Sequence, residues 1–158
     1  MNAGKCFEEF KRGEKWISRP RRVTQRQIDA FARISKDRNP IHLDPVFART
    51  TLFKRTIAHG LLGLSIASGM LDELGILRRT ILAFVGLNWQ FLAPIFPGDR
   101  IRLEIRVLRK RKSHKKDRGI VALRARLFNQ EGCPVQAGDW TLLVHRKGRP
   151  SGRKISEG

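Results

Sequence analysis

An acid, an amide, a proline and an imidazole lie within one short stretch, SKDRNPIH at residues 35–42. Proline lacks an N–H group and disfavours the α conformation in the residue before it, so Asn39 and Pro40 cannot lie inside a regular helix. The stretch is therefore predicted to be a shaped loop that carries the polar side chains of Asp37, Asn39 and His42. Such a loop is either a helix-exit turn or a functional site, because carboxylate and imidazole groups commonly carry protons in catalysis.

Helical patterns flank this stretch on both sides. TQRQIDAFARIS at 24–35 opens with a capping box formed by Thr24 and Gln27 and continues with one apolar face. DPVFART at 44–50 predicts one further helical turn. HGLLGLSIASGMLDEL at 59–74 is apolar on nearly every side, which is typical of a buried helix. Its glycines lower helix propensity, so a neighbouring surface, such as a sheet wrapped around it, is expected to pack closely there.

Alternating apolar residues predict antiparallel strands in the second half of the chain. The predicted strands are 81–91, 100–107, 119–128 and a segment around 135–146. In the first of them the odd-numbered residues are predicted to face the core. A buried helix followed by a run of antiparallel strands is an α+β arrangement.

Length and composition predict one domain with a basic tail. The chain has 158 residues, of which 1–146 are predicted to form the domain and 147–158 a disordered Gly/Ser/Arg-rich tail. The first residues lack the apolar region of a signal peptide, and no apolar run reaches the 18 or so residues of a membrane span. Cys6 and Cys133 show no metal-binding spacing. The prediction is a cytoplasmic protein with no membrane association.

These motifs together resemble the MaoC-like dehydratase family, and specifically its (R)-specific enoyl-CoA hydratases. SKDRNPIH matches the family's S-G-D-x-N-P-x-H motif, with Lys36 in place of the usual Gly. IAHG at 57–60 matches its I-[AV]-H-G signature, and PIFPGD at 94–99 matches its P-x-x-x-G-D turn. The resemblance extends over about residues 10–146. It implies a hotdog fold, in which an antiparallel sheet wraps around a long central helix, and a homodimer.

The resemblance also implies roles in the addition of water to an enoyl thioester. This reaction requires a base, an acid and donors to an enolate-like oxygen. Asp37 and His42 would form the catalytic pair, and which member holds a given proton is left open. The backbone N–H of Gly60 would form the oxyanion hole at the start of the central helix. The residues expected to position the site or to line the substrate pocket are Asn39, His59 and Ser68.

Each of these residues has a structural alternative when it is considered alone. Asp37 could be a turn or cap residue, and His42 a surface or hydrogen-bonded histidine. His59 could simply brace the central helix, and Ser68 could simply pack against its neighbours. The joint occurrence of the motifs favours a site.

The charge of the chain is its second unusual feature. Lys and Arg number 33 against 14 Asp and Glu, a net charge of +19. Residues 100–126 hold twelve of these basic residues and two acids. They form either a solvated outer face or a surface for the phosphates of coenzyme A or for an acidic acyl carrier protein. A nucleic-acid partner is disfavoured, because no aromatic side chain for base stacking is interleaved with them.

The sequence therefore predicts a hydro-lyase that reversibly hydrates trans-2-enoyl-CoA to (R)-3-hydroxyacyl-CoA without a metal or redox cofactor. One alternative is a 3-hydroxyacyl-acyl-carrier-protein dehydratase of fatty acid synthesis. Another is a non-catalytic hotdog protein that binds acyl-CoA or nucleic acid. A homodimer is predicted because pairing of two sheet edges removes an exposed edge strand.

Overall fold

A computed structural model of the protein describes residues 3–148 as an antiparallel sheet curled around one helix. A 3-10 turn at Phe7–Glu9 comes first. The helices and strands then follow in chain order: β1 (Lys15–Ile17), β2 (Arg21–Arg22), α1 (Gln25–Ser35), α2 (Pro40–Leu43), α3 (Pro45–Thr50), α4 (Gly60–Glu73), β3 (Ile81–Phe91), β4 (Arg100–Lys112), β5 (Arg118–Phe128) and β6 (Pro134–His145). Most of the predicted tail, 149–158, lies outside the described residues.

The strand order places β3 at one edge of the sheet. The order is β1-β4-β5-β6-β3, with β2 paired to the first residues of β4. Short connections join β4 to β5 and β5 to β6, as the turn signals predicted. β3 precedes these strands in the chain but pairs only with the last of them, so its other side has no partner strand among the described residues.

The core lies between the concave face of the sheet and α4. Alternation in β4 and β5 is confirmed, because their inward residues are buried and their charged residues face outward. α4 contributes Leu62, Ile66 and Met70 to the same buried cluster, which also contains Trp140 of β6. The prediction that this helix is buried all round is wrong for Leu61, which is 58% exposed. Within residues 3–148 no helix combines the length and apolarity needed to cross a membrane.

β3 departs from the predicted alternation. Its pairing with β6 shifts register twice near its beginning. A bulge moves the residues that follow it to the opposite face. Phe84 therefore lies on the same face of the sheet as Trp140, with ring centroids 5.5 Å apart, although it is 44% exposed. The prediction that all odd-numbered residues face the core is wrong for Ala83 and Val85.

The N-terminal half confirms the predicted helices and adds elements that were not predicted. Thr24 caps α1 and forms the expected capping box with Gln27. β1 and β2 are too short to produce a periodic pattern, and both were missed. A short helix, α2, begins at Pro40, which suits the first helical position because proline needs no N–H acceptor there.

Candidate active site

The loop between α1 and α2 begins with a left-handed residue. Lys36, the C-cap of α1, has φ +64°. Glycine adopts this conformation without steric cost, which explains why the family motif has glycine at this position. A lysine costs roughly 1 kcal/mol more there than glycine. Lys36 nevertheless adopts this left-handed conformation, so the departure from the motif does not prevent the turn.

Asn39 fixes the start of α2. Its side-chain Oδ1 accepts a hydrogen bond from the Ile41 N–H at 3.1 Å, and its own N–H donates to Asp37 Oδ1 at 3.3 Å. Asn39 is thus the N-cap of the helix that carries His42. The prediction that both catalytic candidates lie on a loop is wrong for His42, because Pro40 begins a helical turn rather than ending one.

The imidazole of His42 is held in one orientation. It is 9% exposed, and its Nδ1 lies 2.8 Å from the carbonyl oxygen of Ile57. A carbonyl only accepts, so Nδ1 carries the proton and donates it to Ile57. In the neutral ring the lone pair is then on Nε2, which is left to act on a substrate or a water molecule.

His59 connects the loop to the start of α4. It is 2% exposed, and its Nε2–H donates to the backbone carbonyl of Asp37 at 3.0 Å. Its ring stacks on that of His42, with centroids 3.8 Å apart and an angle of 29° between the ring planes. The ring of Phe31 also contacts it, with centroids 5.1 Å apart. His59 Nδ1 is buried without a hydrogen-bond partner in the described chain. His59 thus contacts both Asp37 and His42, and its positioning role stays a prediction.

Asp37, His42 and His59 form a compact cluster. One potential ligand atom from each lies within 4.8 Å of the others. These residue types can bind a metal, but a tetrahedral ion requires lone pairs that converge on one point. The two imidazole rings are stacked and nearly parallel, so their free nitrogens do not converge well. The arrangement suits proton transfer better than metal binding.

Burial is the main cause that lowers the pKa of His42 below its ordinary value near 6.5. Neighbouring His59 lowers the pKa further, whereas the Ile57 carbonyl and Asp37 raise it. The neutral ring is therefore favoured at neutral pH. Since the unfolded chain binds this proton more readily than the folded one, the stability that His42 contributes is complete above about pH 6.5. It is lost as the pH falls through the lowered folded-state value.

The catalytic role predicted for His42 requires its neutral form, so we expect the acid limb of kcat/KM for hydration to have an apparent pKa below 6.5. A pH profile from 5 to 8 measures it. Unfolding curves of wild type and His42→Gln over the same range should converge toward acid pH, because the wild type loses its His42 contribution there. An acid limb with a midpoint above 6.5 would contradict the assignment.

Gly60 presents a free N–H at the first turn of α4. His59 is the N-cap but makes no side-chain cap hydrogen bond, and no acceptor for the Gly60 N–H is found within residues 3–148. The partial positive charge of a helix N-terminus favours an oxyanion at this position. Gly60 has no side chain, but the ring of Phe91 fills that space, because a Cβ at Gly60 would lie 2.7 Å from it.

A cavity of about 310 Å³ lies beside His42 and Gly60, whereas Asp37, Asn39 and His59 are not among its lining residues. His42 and Gly60 line it together with Phe91 of β3 and Pro94 of the following turn. Gln136 of β6 also lines it and is only 2% exposed. Sequence reasoning missed Gln136, although it has the same parity as Trp140 and is therefore a polar residue at an inward strand position.

Five of the six predicted site residues are near one another, and one is not. Ser68 lies about two turns beyond Gly60 on α4, its side chain is exposed, and it does not line the cavity. Its predicted pocket role stays a prediction.

Residues 10–126 match the family described as MaoC like domain. The chain belongs to this family. It is 38% identical over 113 residues to an (R)-specific enoyl-CoA hydratase of Aeromonas caviae, an alignment that covers 72% of this chain and 80% of that protein. The solved structure of a MaoC-like dehydratase from Rhodospirillum rubrum superposes with a TM-score of 0.84 at 31% identity, over 92% of this chain and 100% of that one.

A more distant structure supports the fold. A Mycobacterium tuberculosis protein described as having a double hotdog fold superposes with a TM-score of 0.76 at 16% identity, over 97% of this chain and 49% of that one. The α+β hotdog fold is thus confirmed. This MaoC-like protein is an enzyme of the hydratase and dehydratase class, a hydro-lyase, as predicted.

Proposed function

We propose that this MaoC-like protein catalyses the reversible (R)-specific hydration of trans-2-enoyl-CoA to (R)-3-hydroxyacyl-CoA. One observation carries the proposal: Asp37 and His42 have potential proton-carrying atoms within 4.8 Å of each other, and His42 lines one cavity with Gly60, whose N–H has no acceptor in the described chain. The name of the Aeromonas caviae relative supports the substrate class.

Each part of the reaction has a group positioned for it. The oxygen of a water molecule bonds to C3, a proton from that water is taken up, and C2 receives a proton. Asp37 and His42 Nε2 are the groups that take and return these protons, each step being worth about 10²–10⁴-fold. The Gly60 N–H donates to the thioester oxygen, on which negative charge develops. Asn39 and His59 hold the two proton carriers in place.

The direct test is the loss of enoyl absorbance when purified protein is added to crotonyl-CoA. Chiral chromatography of 3-hydroxybutyrate, released from the product by hydrolysis, then identifies the enantiomer. The proposal requires the (R) form. A protein that leaves crotonyl-CoA unchanged, or that yields the (S) form, would refute it.

We further propose that the protein is a homodimer formed through β3. The strand is long, lies at the edge of the sheet, and exposes apolar residues that a monomer would leave in water. These residues are Ile81, Leu82, Phe84, Val85, Leu87 and Phe91. Phe91 also lines the cavity, so a partner paired to β3 would lie near the site.

The convex face of the sheet is rich in arginine. Arg106 on β4 is directly opposite Arg124 on β5, a pairing of like charges that lowers sheet stability. Arg124 pairs with Asp139, but Arg106 has no acidic partner within the described chain. A groove of about 420 Å³ on this face is lined by Arg124 and Arg126. This face favours an anionic substrate carrier, either the phosphates of coenzyme A or an acyl carrier protein.

Added salt should raise KM for enoyl-CoA and leave kcat nearly unchanged, because screening weakens capture without affecting the buried imidazole. The Debye length falls from about 10 Å at 0.1 M to about 3 Å at 1 M, so this range is informative. Replacing Arg102 and Arg106 by Glu should mimic the effect of salt. It should raise KM more for an acyl-carrier-protein substrate than for a CoA substrate, because a protein contacts more of the face.

The matched control is replacement of Arg26 and Arg49 by Glu, which changes the net charge equally at exposed positions on α1 and α3, outside the sheet. If the two pairs of replacements raise KM equally, or neither does, the convex face is not part of substrate capture.

A further inference from the structure

Gln136 is a buried amide fixed at both ends. Its Nε2–H donates to the carbonyl of Gly60 at 3.0 Å, and its Oε1 accepts from the indole N–H of Trp89 at 3.1 Å. The side chain therefore connects β6 to the edge strand β3 and to the first turn of α4. It lines the cavity described above, and the catalytic assignment gives it no chemical role.

The amide occupies space that the helix leaves empty. Gly60 and Gly63 lie on one face of α4, three residues apart. A Cβ at Gly63 would lie 2.4 Å from Gln136 Nε2, and a Cβ at Gly60 would lie 2.7 Å from the ring of Phe91. A channel without side chains thus runs along this face of the helix, and Phe91 and Gln136 fill it.

The two side chains that fill the channel, Phe91 and Gln136, differ in conformational freedom. Phe91 is 56% exposed, and no hydrogen bond holds its ring, so it can turn aside. Gln136 is 2% exposed and held by two hydrogen bonds. A chain that displaced this amide would remove the acceptor of the Trp89 N–H and the side-chain donor to the Gly60 carbonyl, which is unfavourable.

We propose that Gln136 is the wall that ends the acyl pocket, so that this enzyme accepts short acyl chains and rejects long ones. This inference rests on the proposed function, because it defines the length of the acyl group hydrated at the same site. An acyl chain that enters past His42 and Gly60 meets the fixed amide at the glycine face. Removal of the amide connects the pocket to the channel beside Gly63.

The test compares kcat/KM for trans-2-octenoyl-CoA with kcat/KM for crotonyl-CoA. The wild type should prefer crotonyl-CoA by at least about tenfold, the scale on which a pocket discriminates single methylenes. Gln136→Ala should raise the octenoyl-to-crotonyl ratio at least about tenfold. Gln136→Met is the matched control, because it keeps a similar volume but loses both hydrogen bonds, so its octenoyl-to-crotonyl ratio should rise less than that of Gln136→Ala.

The proposal that Gln136 ends the acyl pocket would be refuted by an unchanged octenoyl-to-crotonyl ratio in Gln136→Ala. An equal rise of this ratio in Gln136→Met would also refute it. Circular dichroism checks that the variants fold. Gln136→Val, which suits a strand, replaces the alanine variant if that variant does not fold.

A second measurement tests the proposed role of Gln136 independently of the proposed catalytic function. If the wild type hydrates no enoyl thioester, the function fails, and the wall is tested by the shifts in Tm that saturated butyryl-CoA and octanoyl-CoA produce. If Gln136 ends the pocket, the shift in Tm produced by octanoyl-CoA, divided by that produced by butyryl-CoA, should be larger for Gln136→Ala than for the wild type. If this relative gain is absent, or if neither ligand shifts Tm in either protein, the wall fails as well.

Discussion

Asp37→Asn and His42→Asn are each expected to lower kcat for crotonyl-CoA hydration by about 10²–10⁴-fold, the range of a well-placed acid or base. Asp37→Asn removes a charged oxygen at an exposed position. In His42→Asn the amide nitrogen can still donate to the Ile57 carbonyl, while the lone pair on Nε2 is lost. Steady-state assays of the single and double variants measure the effect.

The double variant should be little slower than the slower single variant, because groups that act on the same water molecule are not additive. Asp72→Asn and His114→Ala, the same side-chain types at exposed positions away from the cavity, are the matched controls and should retain wild-type kcat. A variant of Asp37 or His42 that keeps more than about a tenth of wild-type turnover would contradict the assignment of the pair.

His42→Ala carries a structural cost that the sequence did not predict. A loop position would have tolerated truncation, but the ring is buried, stacks on His59 and donates to Ile57. Loss of the ring leaves that carbonyl without its donor and opens a gap beside His59. His42→Ala is therefore expected to be less stable than His42→Asn, which is why the asparagine variant is the better probe of chemistry.

Local patterns in the sequence were sufficient for much of the fold. The capping box of α1 and the alternation in β4 and β5 depend on neighbouring residues, so they could be predicted from one chain. The proximity of Asp37 and His42 could be predicted from the motif because Asn39 and Pro40 shape the backbone between them.

Features that depend on distant partners could not be predicted in this way. The bulges of β3 result from its pairing with β6, which is remote in sequence. The contact of Gln136 with Gly60 requires the last strand to lie against the start of α4. The polar residue at an inward position was visible in the sequence, but its partners were not.

The second large expected effect concerns the oligomeric state, because β3 has an exposed edge through which two subunits can pair. Sedimentation at micromolar concentration should give about 36 kDa, twice the 18.1 kDa of the chain. Two β3 strands related by a two-fold axis would pair antiparallel, extend the sheet across both subunits and cover the apolar residues of the edge. Leu87, which is 49% exposed near the middle of the strand, would then lie close to its symmetry mate.

Leu87→Lys should therefore shift the protein to a monomer near 18.1 kDa, because it brings two positive charges together at a desolvated interface. Ile17→Lys is the matched control: Ile17 is 46% exposed on β1, at the opposite edge of the sheet, and its replacement should leave the dimer intact. Since Phe91, the last residue of β3, lines the cavity, the monomeric variant should also lose hydration activity. A wild type that sediments as a monomer would exclude the β3 dimer. Equal dissociation by both lysine variants would place the interface elsewhere.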